Sequence, residues 1–511
     1  MRSATTILFI LFTFRIFAQN PGSLDLSFNS NGYLITPVIV NGIHGASSAG
    51  DFVVLEDNSV VMAGSTYLTP QRYFSIIKYL DKGVVDSSFA DNGVALVDLG
   101  LLEDYACCIS TDNNGRLVVA GYSFNGEYND IGIIRLNSNG SIDKTFGDSG
   151  KLVIPIGKSD SYAYDVDVLS DNSIVVAGKA FITDNFDFIV YKLLPDGKPD
   201  NTFGNKGLVS YNFGKSFDEA TKVLVLENDK LLVGGSSNNG LDLDVTLALL
   251  TKSGQLDTTF NHSGFITWDY QGKTNSFGDM AIDSGGSIYV TGNTTIPGYY
   301  APYIAKFTKH GAIDSTFATG GLLTYSIGEI NAYSKAITVD DYNNIYATGY
   351  SQTWGQDIIV IKFNDRGKLD TNFGTEGVWY SDLGNEVTSK YCVSIGIKSN
   401  GKIIIGGSFD DDGYKFLIIQ LHNTEAPNKL YTCRLGNELE IYPNPANNLL
   451  NIKWGNSNPV DIQILNINGK PVYMRKDFSA DYIDVSDWET GIYLVYIKFG
   501  STFSVRKLII Q

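Results

Sequence analysis

One phrase, Gly-x-x-Asp-x-x-Phe, recurs seven times in this chain of 511 residues, and any fold has to accommodate every copy. Its aspartate and phenylalanine pairs are Asp25/Phe28, Asp86/Phe89, Asp143/Phe146, Asp200/Phe203, Asp257/Phe260, Asp314/Phe317 and Asp370/Phe373, with a spacing of about 57 residues. A Gly follows each Phe four residues later, from Gly32 to Gly377. A period of this length marks an array of like supersecondary units.

Each unit reads as four short strands. The first follows the second Gly, as in Val94–Leu99, and the second alternates, as in Val166-Asp-Val-Leu. A two-residue turn rich in Asn, Asp and Gly comes next in every copy, for example Asp171-Asn172 or Asn400-Gly401. Such residues tolerate positive φ and close tight antiparallel hairpins. The third strand is a nearly unbroken apolar run, such as Ile403-Ile-Ile-Gly-Gly407, and the fourth is typified by Phe186–Leu194. Unbroken apolar runs imply sheets buried on both faces. Radial stacking of like sheets in a closed ring meets that demand and removes long exposed edges. A parallel β-helix is disfavoured, because parallel neighbours need long crossovers rather than tight hairpins. The expectation is an all-β chain whose first part is a seven-bladed β-propeller, with the first strand innermost and each blade built from one repeat. The repeated Asp is expected to accept hydrogen bonds from its own turn, and the Phe to fill the groove between blades.

The expected division is a signal peptide over residues 1–19, the propeller over 20–422, a linker over 423–430 and a small Ig-like β-sandwich over 431–511. Arg2, the apolar stretch from Ile7 to Phe14 and the small Ala18 read as a leader cleaved after Ala18. No other stretch approaches 18 apolar residues, so the mature chain is expected to lack a transmembrane segment. Cys107, Cys108, Cys392 and Cys433 are too scattered for a disulfide framework and read as free buried thiols. Residues 431–511 hold equal numbers of basic and acidic side chains, so the net charge of −17 falls on the repeats. Nucleic acid and anionic lipid are poor partners for such a chain.

Two resemblances attach to these residues. The repeat phrase, with Leu/Ile-Asp-x-Thr/Ser-Phe-Gly followed by Gly, resembles the delta-60 repeat family of bacterial exported proteins over residues 22 to 421, which implies a β-propeller and no particular activity. The C-terminal segment resembles the type A sorting domain of the type IX secretion system of Bacteroidetes. The matching residues are Tyr442, Pro443, Asn444, Pro445, Gly469, Gly491, Tyr493, Arg506 and Lys507. That resemblance implies Sec export, engagement of the type IX machinery and delivery to the outer-membrane surface or the medium.

Catalytic signatures are scarce. No Gly-x-Ser-x-Gly, His-Glu-x-x-His, Cys-x-x-Cys, P-loop or Gly-x-Gly-x-x-Gly occurs, and the four histidines are scattered (His44, His262, His310, His422). Carboxylate pairs for glycoside chemistry could come from Glu103/Asp104, Asp184/Asp187, Asp242/Asp244 or Asp410–Asp412. Nothing calls for a cofactor, and Asp410-Asp-Asp-Gly413 departs from the alternating spacing of a calcium loop. The loops that vary between copies join the first strand to the second and the third to the fourth, and so share one face. They carry Tyr67, Tyr73, Phe124, Tyr128, Tyr299, Tyr300, Tyr303, Trp354 and Tyr414. Exposed rings beside hydrogen-bonding groups suit sugar rings or a protein partner. Tyr299, Tyr300, Tyr303, Trp354 and Tyr414 are the candidate binding residues, whereas Tyr105, Tyr162, Tyr333 and Tyr391 recur at equivalent places and are read as framework. The functional expectation is a non-enzymatic surface module, with a polysaccharide-degrading enzyme or a purely structural surface protein as alternatives.

Overall fold

A computed structural model describes residues 21–423 apart from 298, 326–330, 354, 382 and 384–388, and residues 440–510 apart from 447, 454–459, 467–470, 479–481, 500 and 501. Residues 1–20, where the leader is expected, and 424–439, which hold Cys433, lie outside the described residues. The chain divides into two compact units, residues 1–424 and 425–511.

In the first unit the described residues build seven antiparallel sheets of four strands; the first also carries the short strand Val38–Val40, and one parallel bridge, Arg72 to Glu103, joins it to the second. The third is representative, pairing Ser161–Val168, Ile174–Phe181, Phe186–Leu193 and Leu208–Tyr211 in that order. Its turn residue Asn172 has φ of 65°, as the hairpin requires. Each sheet packs against the next, and the seventh packs against the strand Ile43–Val54 of the first, which closes the cycle. This is the propeller architecture.

Two expectations are corrected. The short strand after each Gly is the outermost, not the innermost. It spans three or four residues and pairs only with the fourth strand of the preceding repeat, as Val94–Val97 does with Gln71–Tyr79. The physical cause is the repeat phrase, which does not cross to the next sheet but folds back on the strand it leaves. Asp86 N–H donates to the Lys78 carbonyl (2.8 Å), and Lys78 N–H donates to the Gly93 carbonyl (3.3 Å). The short link that follows then carries the chain to the next centre, so the second strand is innermost. Consequently the ring does borrow a strand. Tyr33–Thr36, from the first repeat, pairs with Tyr414–Leu421 and completes the seventh sheet.

The repeated residues form a belt. Its seven phenylalanines, Phe28, Phe89, Phe146, Phe203, Phe260, Phe317 and Phe373, are each at most 1% exposed, which leaves none of these rings open to a ligand. Each lies against the Gly that opens the next copy. Phe28 meets Gly83, Phe89 meets Gly140, Phe146 meets Gly197 and Phe203 meets Gly254. Phe260 meets Gly311, Phe317 meets Gly367, and Phe373 meets Gly22 across the closure. The groove that these rings fill is therefore the one between consecutive repeat phrases. The glycines have φ between 75° and 89°, and a Cβ would strike the ring. One inter-sheet hydrogen bond accompanies each contact, for instance Ala90 N–H to the Asn139 carbonyl (2.8 Å) and Gly374 N–H to the Pro21 carbonyl (2.8 Å). One oxygen of the repeated Asp accepts from its own turn, as Asp200 Oδ1 does from Thr202 N–H (2.9 Å) and Oγ1 (2.6 Å). The other oxygen faces a cation: Lys78 for Asp86, Arg135 for Asp143, Lys192 for Asp200, Lys306 for Asp314 and Lys362 for Asp370. The corresponding places in the fourth and seventh sheets hold Leu249 and Gln420, so Asp257 takes Lys230 (2.7 Å) and Asp25 takes Lys402 and His422.

The second unit has a three-stranded sheet of Glu440–Tyr442, Leu449–Lys453 and Tyr482–Asp484. Its other sheet has four strands, Pro471–Phe478, Val460–Asn466, Gly491–Phe499 and Thr502–Ile510. Both contribute to one core, with Leu450, Ile452, Ile464, Val485, Val495, Ile497 and Leu508 fully buried.

Candidate functional site

Two regions of the propeller concentrate polar and aromatic side chains. The first is the centre of the ring, lined by the innermost strands. Every one of these strands carries a β-bulge at the same height, and the residue after it is Asp51, Cys108, Asp165, Lys222, Asp279, Ala336 or Ser394 in successive sheets. A bulge disturbs the ladder and re-aims the side chains beside it. Here it leaves inner N–H groups that the next sheet cannot reach with its own backbone. Side chains do so instead: Asp165 Oδ2 accepts from Val223 N–H (2.8 Å), and Asp279 Oδ2 accepts from Ile337 N–H (3.0 Å). Nearer the loop face Ser65 Oγ accepts from Ala106 N–H (2.8 Å), and Ser408 Oγ from Ala49 N–H (2.9 Å). Replacing Ser65 by Ala should therefore cost about 1–2 kcal/mol by orphaning a buried donor. Urea denaturation checks this, and an unchanged midpoint would count against the latch.

Asp51, Asp165, Asp167 and Asp279 share a cavity of about 250 Å³ with Lys222. Burial pushes the Asp165 carboxyl up to about 7, and it raises Asp51, Asp167 and Asp279 as well. Lys222 is held strongly protonated by Asp165, Asp279, Asp51 and Asp167 against the cost of its own burial. Its Nζ lies 3.4 Å from Asp165, and the 28% of its side chain that stays open faces this cavity. Among the described residues no three Asp, Glu, His or Cys side chains are placed to hold a metal ion. A second groove, of about 580 Å³, opens between the fourth and fifth sheets beside Leu249.

The second region is the face bearing the variable loops. Register places the ends of the third-to-fourth hairpins and of the first-to-second links together there, as Asn129 N–H donating to Asp160 Oδ1 (2.8 Å) illustrates. Exposed apolar side chains crown it: Ile39, Ile43, Leu102, Ile182, Leu241, Tyr300 and Tyr414, with Leu241 94% exposed. Below them run two arcs of rings. One links Tyr105, Tyr122, Tyr162 and Tyr164 and reaches Phe186 and Phe217, with centroids 4.9–6.3 Å apart. The other links Tyr300, Tyr333, Tyr350, Tyr391 and Tyr414 at 5.1–6.0 Å. Such spacings are favourable ring contacts.

Of the five candidate binding residues, Tyr300 and Tyr414 are on this face, 42% and 39% exposed. Tyr303 is not. It is fully buried, and its hydroxyl donates to the Ser276 carbonyl (3.1 Å). Tyr299 pairs with Ile296 through its backbone, and Trp354 lies outside the described residues. Tyr105, Tyr162, Tyr333 and Tyr391 belong to the two arcs and are only half-buried, so they join the framework to the surface. The carboxylate candidates brace loops. Asp104 accepts from Leu99 N–H (2.8 Å) and Ser123, while Asn239 donates to both Asp242 (2.6 Å) and Asp244 (2.9 Å). Asp187 accepts from Asn212 (3.2 Å), and Asp411 receives Lys415 at 3.6 Å. Cys107, Cys108 and Cys392 are free thiols, with burial pushing Cys107 up to about 12 and Cys392 to about 11.

In the second unit Tyr442, Pro443, Asn444 and Pro445 form the turn after the strand Glu440–Tyr442, and Asn444 Oδ1 accepts from Ile509 N–H (2.9 Å). Gly491 opens a strand, and Tyr493 is buried with its hydroxyl donating to the Glu489 carbonyl (2.7 Å). Arg506 and Lys507 lie in the last strand opposite Val495 and Leu494. Gly469 is outside the described residues.

Comparison with known proteins agrees with both units. Residues 440–511 match the secretion system C-terminal sorting domain, and residues 113–146, 169–203 and 286–317 match the beta-propeller domain of unknown function DUF5122. No curated protein matches the chain. Among solved structures, the polysaccharide lyase Uly1 is similar at 12% identity, covering 73% of this chain and 89% of that one, with a TM-score of 0.46. Drosophila Semaphorin 2a is similar at 9% identity, covering 93% and 97%, with a TM-score of 0.44. Likenesses this distant add nothing about activity. The family matches and the topology together identify the chain as a β-propeller protein with a type IX secretion C-terminal sorting domain, exported to the cell surface or the extracellular space.

Proposed function

We propose that the protein is a non-enzymatic binding or adhesion module, displayed at or released from the cell surface, that takes glycan or protein through its variable-loop face. The observation that carries this reading is the loop face itself, where exposed Tyr300 and Tyr414 end an arc of stacked rings, whereas the exposed apolar side chains of the belt side (Leu26, Leu80, Val84, Leu194 and Ile313) are all aliphatic. Exposed rings beside hydrogen-bonding loops suit an interaction site. A leader over residues 1–19 supplies the Sec step, and the delta-60 character of the repeats fits a Bacteroidetes surface protein.

A polysaccharide-degrading enzyme is the second reading. It is favoured by Asp187 and Asp244, loop-face carboxyls raised by burial. Against it, Asp130, Asp187 and Asp244 fall one repeat apart and each is held by an Asn: Asp130 and Asp244 by the one five residues earlier (Asn125, Asn239), Asp187 by Asn212 of the following link. The test is a glycan and surface-protein array probed with the secreted chain and with a Tyr300→Ala/Tyr414→Ala double variant. A ligand lost at least about tenfold in the variant is expected. Turnover abolished by Asp244→Asn would move the assignment to an enzyme, and an empty array would leave a structural surface protein.

A further inference from the structure

The two arcs on the loop face differ in what already occupies them. In the first, the chain's own cations sit on the rings. The Arg72 guanidinium lies 4.5 Å from the Tyr105 centroid and 5.6 Å from that of Tyr67, while the Tyr105 hydroxyl donates to Glu103 (2.6 Å). Lys179 Nζ is 4.7–5.4 Å from the rings of Phe217, Phe186, Tyr164 and Tyr162, and 3.2 Å from Glu219. Around Lys179 rings and a carboxylate surround one cation, so ring quadrupole and Coulomb attraction add, whereas beside Arg72 the carboxylate is held by the ring's own hydroxyl.

The second arc repeats the rings without the full complement of cations. Lys335 approaches only Tyr350, at 5.9 Å. Tyr300 and Tyr414, at its two ends, keep about two-fifths of their surface open, and among the described residues no cation stands over either. A carboxylate is at hand, since Asp410 stands directly opposite Tyr414 across its hairpin; Tyr391 first, then burial and Asp410, raise the Tyr414 hydroxyl. The wider face is acidic too. Asp98, Glu127, Asp130, Asp160, Asp184, Asp187, Asp242, Asp244, Asp269 and Asp410–Asp412 lie in its loops, against Arg72, Lys158, Lys215, Lys273, Lys415 and Lys390, the last held by Asp357 (3.1 Å).

We propose that the second arc, from Tyr300 to Tyr414, receives a lysine- or arginine-rich segment of a partner protein, whose cations take the places that Arg72 and Lys179 fill in the first arc. Charge decides against the other occupants. An acidic glycan would meet like charge on this face, and a neutral sugar would gain stacking but nothing from the carboxylates. Tyr contacts supply the area, and the carboxylates supply orientation and speed of association.

This inference rests on the loop face being the binding surface, and the test separates the two. The secreted full chain is titrated against three fluorescent probes: an (Arg-Gly-Gly)6 peptide, its (Glu-Gly-Gly)6 counterpart and a neutral hexasaccharide. The arginine peptide should bind, and raising NaCl from about 50 to 300 mM should weaken it about tenfold. Tyr300→Ala/Tyr414→Ala, which removes no charge, should weaken it about fivefold or more, and Asp410→Asn about threefold. Asp196→Asn, on the opposite face, should leave it unchanged. Melting curves of these variants should match the parent, since Tyr300, Tyr414 and Asp196 are exposed and Asp410 is only half-buried at a hairpin end. Peptide binding indifferent to the two tyrosines would overturn the inference as mere bulk charge attraction. Hexasaccharide binding that depends on them, without peptide binding, would overturn it while sparing the loop-face reading. If no probe binds, both fall.

Discussion

Removing residues 431–511 is expected to abolish surface delivery and strand a folded propeller in the periplasm. The cores of the seven sheets are built entirely from residues before 424, so truncation removes none of their packing. The sorting domain has a core of its own, in which the turn Tyr442–Pro445 is tied to the last strand through Asn444. It can therefore present its signal as an independent folded body. Fractionation with protease shaving of intact cells measures the outcome. A loss of surface signal of at least about tenfold, with matching periplasmic accumulation and an unchanged thermal midpoint, is expected on the independence of domains with separate cores. Undiminished surface signal would refute the assignment of the tail as the delivery element.

The second large effect concerns Lys222. Replacing it by Met leaves Asp51, Asp165 and Asp279 facing one another in a cavity of about 250 Å³ without their cation. Breaking a fully buried ion pair on one side costs about 3–5 kcal/mol; Lys222 keeps 28% of its side chain open, so about 2–3 kcal/mol is expected here, and the cost should depend on pH in a definite direction. These carboxyls have folded pKa values raised above their unfolded ones, Asp165 to about 7 with Lys222 still present. The folded state thus binds more protons than the unfolded state between about pH 4 and 7, so stability falls as pH rises through that window. Without Lys222 the carboxyls rise further, and the variant should regain much of its loss on going from pH 8 to 5.5. Urea melts at both values check this. Equal deficits at both would mean that Lys222 acts by packing alone.

Particular residues show what the sequence discloses and what it hides. The hairpins are legible because Asn58, Asn172 and Asn343 need positive φ and sit between the same two strands in every copy. So is the belt, because Phe89, Phe203 and Phe317 stand in register with the other four copies and a ring required seven times is a packing element. The radial order is not legible. A strand buried on both faces, such as Ile174–Phe181, looks the same whether its neighbour leads inward or outward. Only the return of the repeat phrase onto its own strand decides the matter. The central cluster is hidden for a related reason. Asp51, Asp165 and Asp279 are two repeats apart, with Cys108 and Lys222 between them, so they do not form the seven-membered column that announces a framework residue. Aligning the copies and reading each column by charge is the signal that finds them. Tyr303 reads as a surface ring because it follows a variable loop, but strand alternation turns it to the opposite side of the sheet from Tyr300, into the core with Trp268.

The borrowed strand gives the protein an order in time. Tyr33–Thr36 is among the first segments of the described chain, yet its partner Tyr414–Leu421 is among the last of the propeller. Until that final repeat is made, Gly22 has no Phe373 ring to lie against, and Tyr33–Thr36 has no strand to pair with. The N-terminal strand must wait through the synthesis of nearly the whole ring. The segment that follows closure is the one that addresses the protein for export.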